Sequence, residues 1–145
     1  MAENVPLVDL RTVEGYQHAN DQYYYRPLIF GKNLFTYVAH VPPGGDMPAD
    51  AEEAELFELS LYMLAGSLEI TYGDQHFVMQ AHSALYIPKG VPLGVRNSAQ
   101  VTASFVLSFF PPPDIASLDK LRQRFLEKNK RIMPAEEMNR LAGIL

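Results

Sequence analysis

The apolar positions of this 145-residue chain recur mostly at intervals of two, which is the period of a strand with one covered face. Asn33 to Val41 is rich in β-branched and aromatic residues and alternates, so it predicts a strand. Pro42-Pro43-Gly44-Gly45 stops it, and the proline and acids of Asp46 to Glu53 predict a loop. From Glu55 to Tyr72 the pattern is strand, turn, strand, with Ala65-Gly66-Ser67 as the turn. Leu56 to Leu64 is too apolar for a strand with one wet face, which predicts that both of its faces are covered. Further strands are expected at His76 to Met79, Ala84 to Ile87, Val91 to Arg96 and Val101 to Phe110. Many short strands at such spacing read as a barrel or sandwich.

After Pro111-Pro112-Pro113 the period changes from two to about 3.6. Asp114 or Ser117 can cap a helix running to about Lys130, with Leu118, Leu121, Phe125 and Leu126 on one face. Pro134 opens a second short helix on which Met138, Leu141 and Leu145 recur at helical spacing. The chain therefore divides into an N-terminal arm (1–30) that is irregular apart from one short strand, a β-barrel (31–112) and a helical tail packed on it (113–145).

Composition narrows the function classes. No apolar run reaches the ~18 residues of a membrane span, and Met1 to Leu10 has neither the basic start nor the apolar stretch of a signal peptide. With no cysteine there is no disulfide framework, thiolate nucleophile or thiolate-bound zinc, and a cytoplasmic location is expected. The net charge is −5, and Asp46, Asp50, Glu52, Glu53, Glu55 and Glu58 place six acids within thirteen residues. A basic face of the kind that binds nucleic acid is absent from the body of the sequence. The seven bases from Lys120 onward, against five acids from Asp114 onward, read as a solvated helix face.

Pro88-Lys89-Gly90-Val91-Pro92-Leu93-Gly94-Val95-Arg96-Asn97 matches the proline, second glycine and asparagine of the motif G-x5-P-x-G-x2-H-x3-N at full spacing. Pro43-Gly44-Gly45, Pro48 and Gly66 frame a looser match to G-x5-H-x-H-x3–4-E-x6-G. On these motifs the stretch Pro43 to Asn97 resembles the cupin superfamily. The resemblance implies an all-β fold, the double-stranded β-helix or jelly-roll barrel, with a short C-terminal helical tail. It also implies a divalent metal held inside the barrel by the histidines and glutamate of the two motifs.

Here the ligand positions depart from the pattern. His82 stands at the first glycine of the second motif and Leu93 at its histidine. Counting from Pro48 puts Asp50 and Glu52 at the first motif's histidines. Counting back from Gly66 puts Glu53 and Glu55 there, with Leu59 at the glutamate; one more residue before the turn restores Glu58, preceded by Ala51 and Glu53. Leucine has no donor atom, so no metal ligand is assigned. A site of Asp50, Glu52 and Glu58 is the carboxylate alternative, suited weakly to hard ions.

Two phases of the strand after Glu55 remain open. With Leu59, Leu61 and Met63 inward, the pocket beside Leu93 is apolar; with Glu58, Ser60 and Tyr62 inward, a carboxylate, a hydroxyl and a phenol share it. A carboxylate among apolar walls titrates nearer neutrality, so the chemistry is expected to rest on Glu58 or Glu55 as base, with Tyr62 or His82 as partner. Leu93, Tyr86, Tyr37, His82, His40 and Arg96 are the candidate substrate-binding residues. The leading expectation is a metal-independent protein that binds a small organic molecule and isomerises, eliminates or cyclises it. A metal-dependent, dioxygenase-like enzyme with carboxylate ligands and a non-catalytic binding or sensing module are the alternatives. The apolar strand Leu56 to Leu64 is consistent with a homodimer.

Overall fold

The computed structural model describes residues 6–18, 22–128 and 131–144. A 3-10 turn, Leu10–Thr12, is capped by the Asp9 side chain and leads into β1 (Gly15–Gln17) and β2 (Tyr24–Phe30). Then come β3 (Phe35–Val41), β4 (Asp46–Met47), a single helical turn α1 (Ala51–Ala54) and β5 (Glu58–Ala65). β6 (Ser67–Tyr72), β7 (Gln75–Gln80), β8 (Ala84–Ile87), β9 (Leu93–Arg96) and β10 (Ala103–Phe110) complete the barrel. The tail is α2 (Leu118–Glu127), β11 (Ile132–Met133) and α3 (Ala135–Ala142). Among the described residues no helix is long and apolar enough to cross a membrane.

Two antiparallel sheets face one another. The larger runs β11-β1-β2-β3-β10-β5-β8 and the smaller β4-β9-β6-β7. Alternation sends Phe35, Tyr37, Ala39 and Val41 of β3 inward, with Phe105 and Leu107 of β10, Leu61 and Met63 of β5, and Leu68, Ile70, Leu93 and Val95 from the smaller sheet. Their burial is the apolar transfer that holds the sheets together.

The stretch expected to be an irregular arm with one short strand contributes two, β1 and β2, to the larger sheet. Tyr25 pairs with Ala39 and shares its inward face, so this aromatic-rich stretch supplies core. The acidic loop contains β4 and α1, because the Asp50 side chain accepts the backbone N–H groups of Glu52 and Glu53 at 2.9 and 3.4 Å and so nucleates a turn. Ser117 caps α2, which ends at Glu127; Lys130 and Leu145, to which the helical patterns were extended, lie outside the described residues.

β5 is covered on one face only. Leu61 and Met63 are fully buried, while Tyr62 and Leu64 on the alternate positions are about 40% exposed. The tail cannot cover them, because α3 packs over the other end of the larger sheet. There Tyr24, Met133 and Met138 form a second small core beside buried Arg26 and His40.

Two positions of the second motif prove architectural. His82, where a glycine is usual, has φ +72° in the turn between β7 and β8, and its N–H donates to the Met63 carbonyl at 2.8 Å. Asn97 is buried; its Nδ2 donates to the carbonyls of Val41 and Val101 at 2.7 and 2.8 Å, and its Oδ1 accepts from the Ala99 N–H at 2.9 Å. The motif's asparagine thus ties three segments together at one end of the barrel.

Candidate functional site

A cavity of about 230 Å³ opens between the two sheets and under the tail. Its walls come from strand positions that alternation aims inward: Tyr25, Phe35 and Tyr37, then Leu59, Leu93, Leu107 and Phe109. Phe57, Met47 and Val91 close one side. Ile115 and Leu121 of the tail close another, so the helix that the period change predicts is part of the pocket.

Five aromatic rings, those of Tyr25, Phe35, Tyr37, Phe57 and Phe109, stand in this wall among aliphatic side chains. The rings of Tyr25 and Tyr37 stand 4.7 Å apart, and Phe109 lies 5.5 Å from Tyr37, 5.8 Å from Phe35 and 5.3 Å from Phe57, edge to face with the last. Behind them the buried Tyr23 and Tyr37 hydroxyls share a 2.9 Å hydrogen bond. Burial pushes both phenols well above the usual tyrosine range, so they remain protonated and act as hydrogen-bonding groups.

Ionisable groups gather at the mouth: His18, Asp50, Glu53 and Arg124. Arg124 donates to the Asp114 carbonyl at 3.1 Å, and Asp50 is engaged by α1. The Glu53 carboxylate has neither a hydrogen bond nor an ion pair among the described residues. The residue is exposed, and the pocket wall beside it partly desolvates its carboxyl. That desolvation, with the charge of Asp50 second, raises its pKa above the ordinary glutamate value. The Glu53 charge also adds to the upward shift of both Tyr37 and Tyr23, which ties the carboxylate electrostatically to the phenol pair.

Of the two phases left open for β5, the structure takes the apolar one. Leu61 and Met63 point inward with Leu59, while Glu58, Ser60 and Tyr62 point away. Glu58 therefore does not enter the cavity; it accepts a short hydrogen bond from the Tyr86 hydroxyl on the outer face. That bond is the first cause of the raised Tyr86 pKa. Tyr62 is on the same outer face, four residues along, and Glu55 sits at the end of α1 with its carboxylate near Gly90. So Glu58, Glu55 and Tyr62 are not brought together in the pocket. The physical reason is register: pairing with β10 sets Leu61 opposite Leu107 and Leu59 opposite Phe109, which turns Glu58, Ser60 and Tyr62 outward.

Among the expected substrate contacts, Tyr37 and Leu93 line the cavity. Tyr86 and His82 are exposed outside it. Arg96 lies on the outer face of the smaller sheet, between Asp46 and Glu69 on the neighbouring strands. His40 is buried on the outer face of the larger sheet, with Nδ1 2.7 Å from the Ser104 hydroxyl. Tyr25, Phe35, Phe57, Phe109 and Glu53 are wall residues that the sequence reading did not select. Alternation with Tyr37 and Leu107 carried the signal for Phe35 and Phe109, and the short register carried it for Glu53; Tyr25 reaches the wall through the pairing of β2 with β3.

The resemblance implies a divalent metal, and the donor set does not fit one. The short register's four ligand positions hold Glu53, Glu55, Leu59 and Leu93; Glu53, Leu59 and Leu93 line the cavity, and only Glu53 has a donor atom. The alternative set is dispersed: Asp50 caps α1, Glu52 is exposed and Glu58 faces outward. Among the described residues no three His, Asp or Glu side chains gather as a ligand set.

Comparison with known proteins agrees with this architecture. The sequence matches the family described as "Cupin domain" over residues 37–109. No curated protein matches the sequence. Among solved structures, an RmlC-like cupin from Shewanella frigidimarina superposes with a TM-score of 0.67 at 14% identity, over 79% of this chain and 97% of that one. The polyketide cyclase RemF from Streptomyces resistomycificus gives 0.66 at 19% identity, over 90% and 95%. A predicted oxalate decarboxylase from Thermotoga maritima gives 0.67 at 13% identity, over 72% and 98%.

Proposed function

This chain belongs to the cupin domain family, and on that premise we propose that it binds a small, mainly apolar organic molecule in the barrel and moves a proton on it without a transition metal. The observation that carries the reading is Glu53, an uncommitted carboxylate on the wall of a cavity whose other ligand-position side chains are leucines. Structural neighbours of this fold include a polyketide cyclase and a predicted oxalate decarboxylase, so the fold alone does not choose among chemistries. The residues at the site must choose.

Glu53 is the base. Its carboxylate takes a proton from a carbon next to a substrate carbonyl; the C–H bond breaks and the carboxyl O–H forms. The electron pair moves to the carbonyl oxygen, and the enolate that results is stabilised by the Tyr37 hydroxyl. Where a C=C adjoins the deprotonated carbon the electron pair spreads over a dienolate, and returning the proton to its far carbon shifts the double bond and completes an isomerisation with every atom conserved. Desolvation of Glu53 favours this exchange, because a carboxylate with a raised pKa is the stronger base.

The test needs no native substrate. In D2O, 2-tetralone exchanges its enolisable C–H slowly, and NMR follows the loss of signal. The wild-type protein is expected to accelerate that exchange, Glu53→Gln to lower the acceleration by about 10²-fold or more, and dialysis against EDTA to leave it unchanged. Loss of the acceleration on EDTA treatment would favour a metal-dependent reading, and no acceleration at all would favour a binding module.

A further inference from the structure

We infer that the ligand of this cavity is a one- or two-ring aromatic bearing a hydroxyl or carbonyl oxygen, stacked among Tyr25, Phe35, Phe57 and Phe109 with its oxygen on Tyr37. This rests on the pocket reading above and adds what enters the pocket. Size sets the first limit. A dry apolar cavity of about 150 Å³ accommodates benzene. At about 230 Å³ this one has room for a second fused ring, and a four-ring skeleton would project through the mouth.

The wall sets the second limit. With Tyr37 the five rings present faces and edges at several inclinations, from 38° for Tyr25 against Tyr37 to 87° for Phe57 against Phe109. A flat aromatic guest meets such a box with offset-stacked and edge-to-face contacts, which a puckered saturated ring of equal size cannot make.

Hydrogen bonding sets the third. Two hydroxyls joined by one bond use one of their two hydrogens. Tyr37 lines the cavity and Tyr23 stands behind it, so Tyr23 donating to Tyr37 leaves the Tyr37 hydrogen for the ligand. Accepting from Tyr23 also makes the Tyr37 hydroxyl a stronger donor. The guest therefore carries an oxygen acceptor at its inner end. The mouth sets the last limit: Asp50 and Glu53 against Arg124 leave one net negative charge, which disfavours a guest that is itself a carboxylate.

Calorimetric titration of the full chain with 2-naphthol, trans-decahydro-2-naphthol, 2-methylnaphthalene and 2-naphthoate tests all four limits. Binding of 2-naphthol is expected to be at least tenfold tighter than that of the saturated alcohol or the naphthoate. Tyr37→Phe should weaken 2-naphthol about tenfold and leave 2-methylnaphthalene unchanged, a difference that general damage to the fold would not produce. NMR shifts of the Tyr37 and Leu93 resonances locate the guest independently of any variant. If the saturated alcohol binds as tightly as 2-naphthol with shifts at Leu93, the aromatic class is overturned and the pocket reading stands. If no probe shifts either residue, both fall.

Discussion

The larger sheet buries polar side chains on both of its faces, and the two faces treat them differently. On the inner face Tyr23, Tyr25 and Tyr37 surround or back a cavity, and Glu53 hangs at its mouth without a partner. On the outer face Arg26 and His40 are fully buried near α3, with Arg26 Nε donating to the Val13 carbonyl at 2.8 Å and His40 held by Ser104. Desolvation lowers the pKa of His40 to about 4, helped by the Arg26 charge, so it is neutral at pH 7. Desolvation is the leading cause on both faces. It makes an acid more basic beside an open cavity and silences a base packed against protein alone. Burial of an ionisable group marks a site only when there is space beside it.

Each prediction attacks one side of that contrast. Met138 is fully buried against the outer face, so Met138→Ala should lower stability by about 2–5 kcal/mol, measured by urea denaturation, with naphthol binding retained where the variant is folded. Loss of binding in folded protein would mean the two faces are coupled.

His40 predicts acid sensitivity. Its folded-state pKa lies below the unfolded value of 6.5, so its contribution is present above pH 6.5 and is lost as pH falls toward 4. At ~1.4 kcal/mol per pH unit the loss is on the order of 3 kcal/mol, and His40→Gln should flatten that part of the stability–pH curve.

On the inner face, Leu59→Glu combined with Leu93→His should add two donors beside Glu53 and confer uptake of Co(II), seen in its visible spectrum. The wild-type chain is expected to show no such band.

The smallest effect belongs to Glu53→Gln. A raised carboxyl pKa adds stability below about pH 4.5 that is lost as pH rises through the folded value. At pH 7 the glutamine variant should therefore melt at or slightly above the wild type, within about 1 kcal/mol, and the gap should close at pH 4. A melt several degrees lower at pH 7 would make Glu53 a structural prop.

Much of the barrel was legible in the chain. Alternation located the strands from Phe35 to Phe110, β4 excepted, to within about two residues, and the turn chemistry around Gly66 and Pro88-Lys89-Gly90 placed the motifs. Leu93 was legible as well, because its spacing from Pro88 and Asn97 allows one register. The first motif was not. With extra residues between Pro48 and Glu58, linear counting gave three registers, and they select different sets of acids. Only the pairing of β5 with β10, which sets Leu61 opposite Leu107 and Phe109 opposite Leu59, decides that Glu58 faces out. That is a one-residue question, and a shift of one residue turns a strand over.

Local pattern thus determined the fold class and the loss of one histidine position, since both rest on spacing within a few residues. Which carboxylate meets the cavity, and that Tyr25 and the tail helix help to wall it, depended on contacts between segments far apart in sequence. Those contacts are set by how two sheets and a helix close around a common core, and no single stretch of the chain carries them.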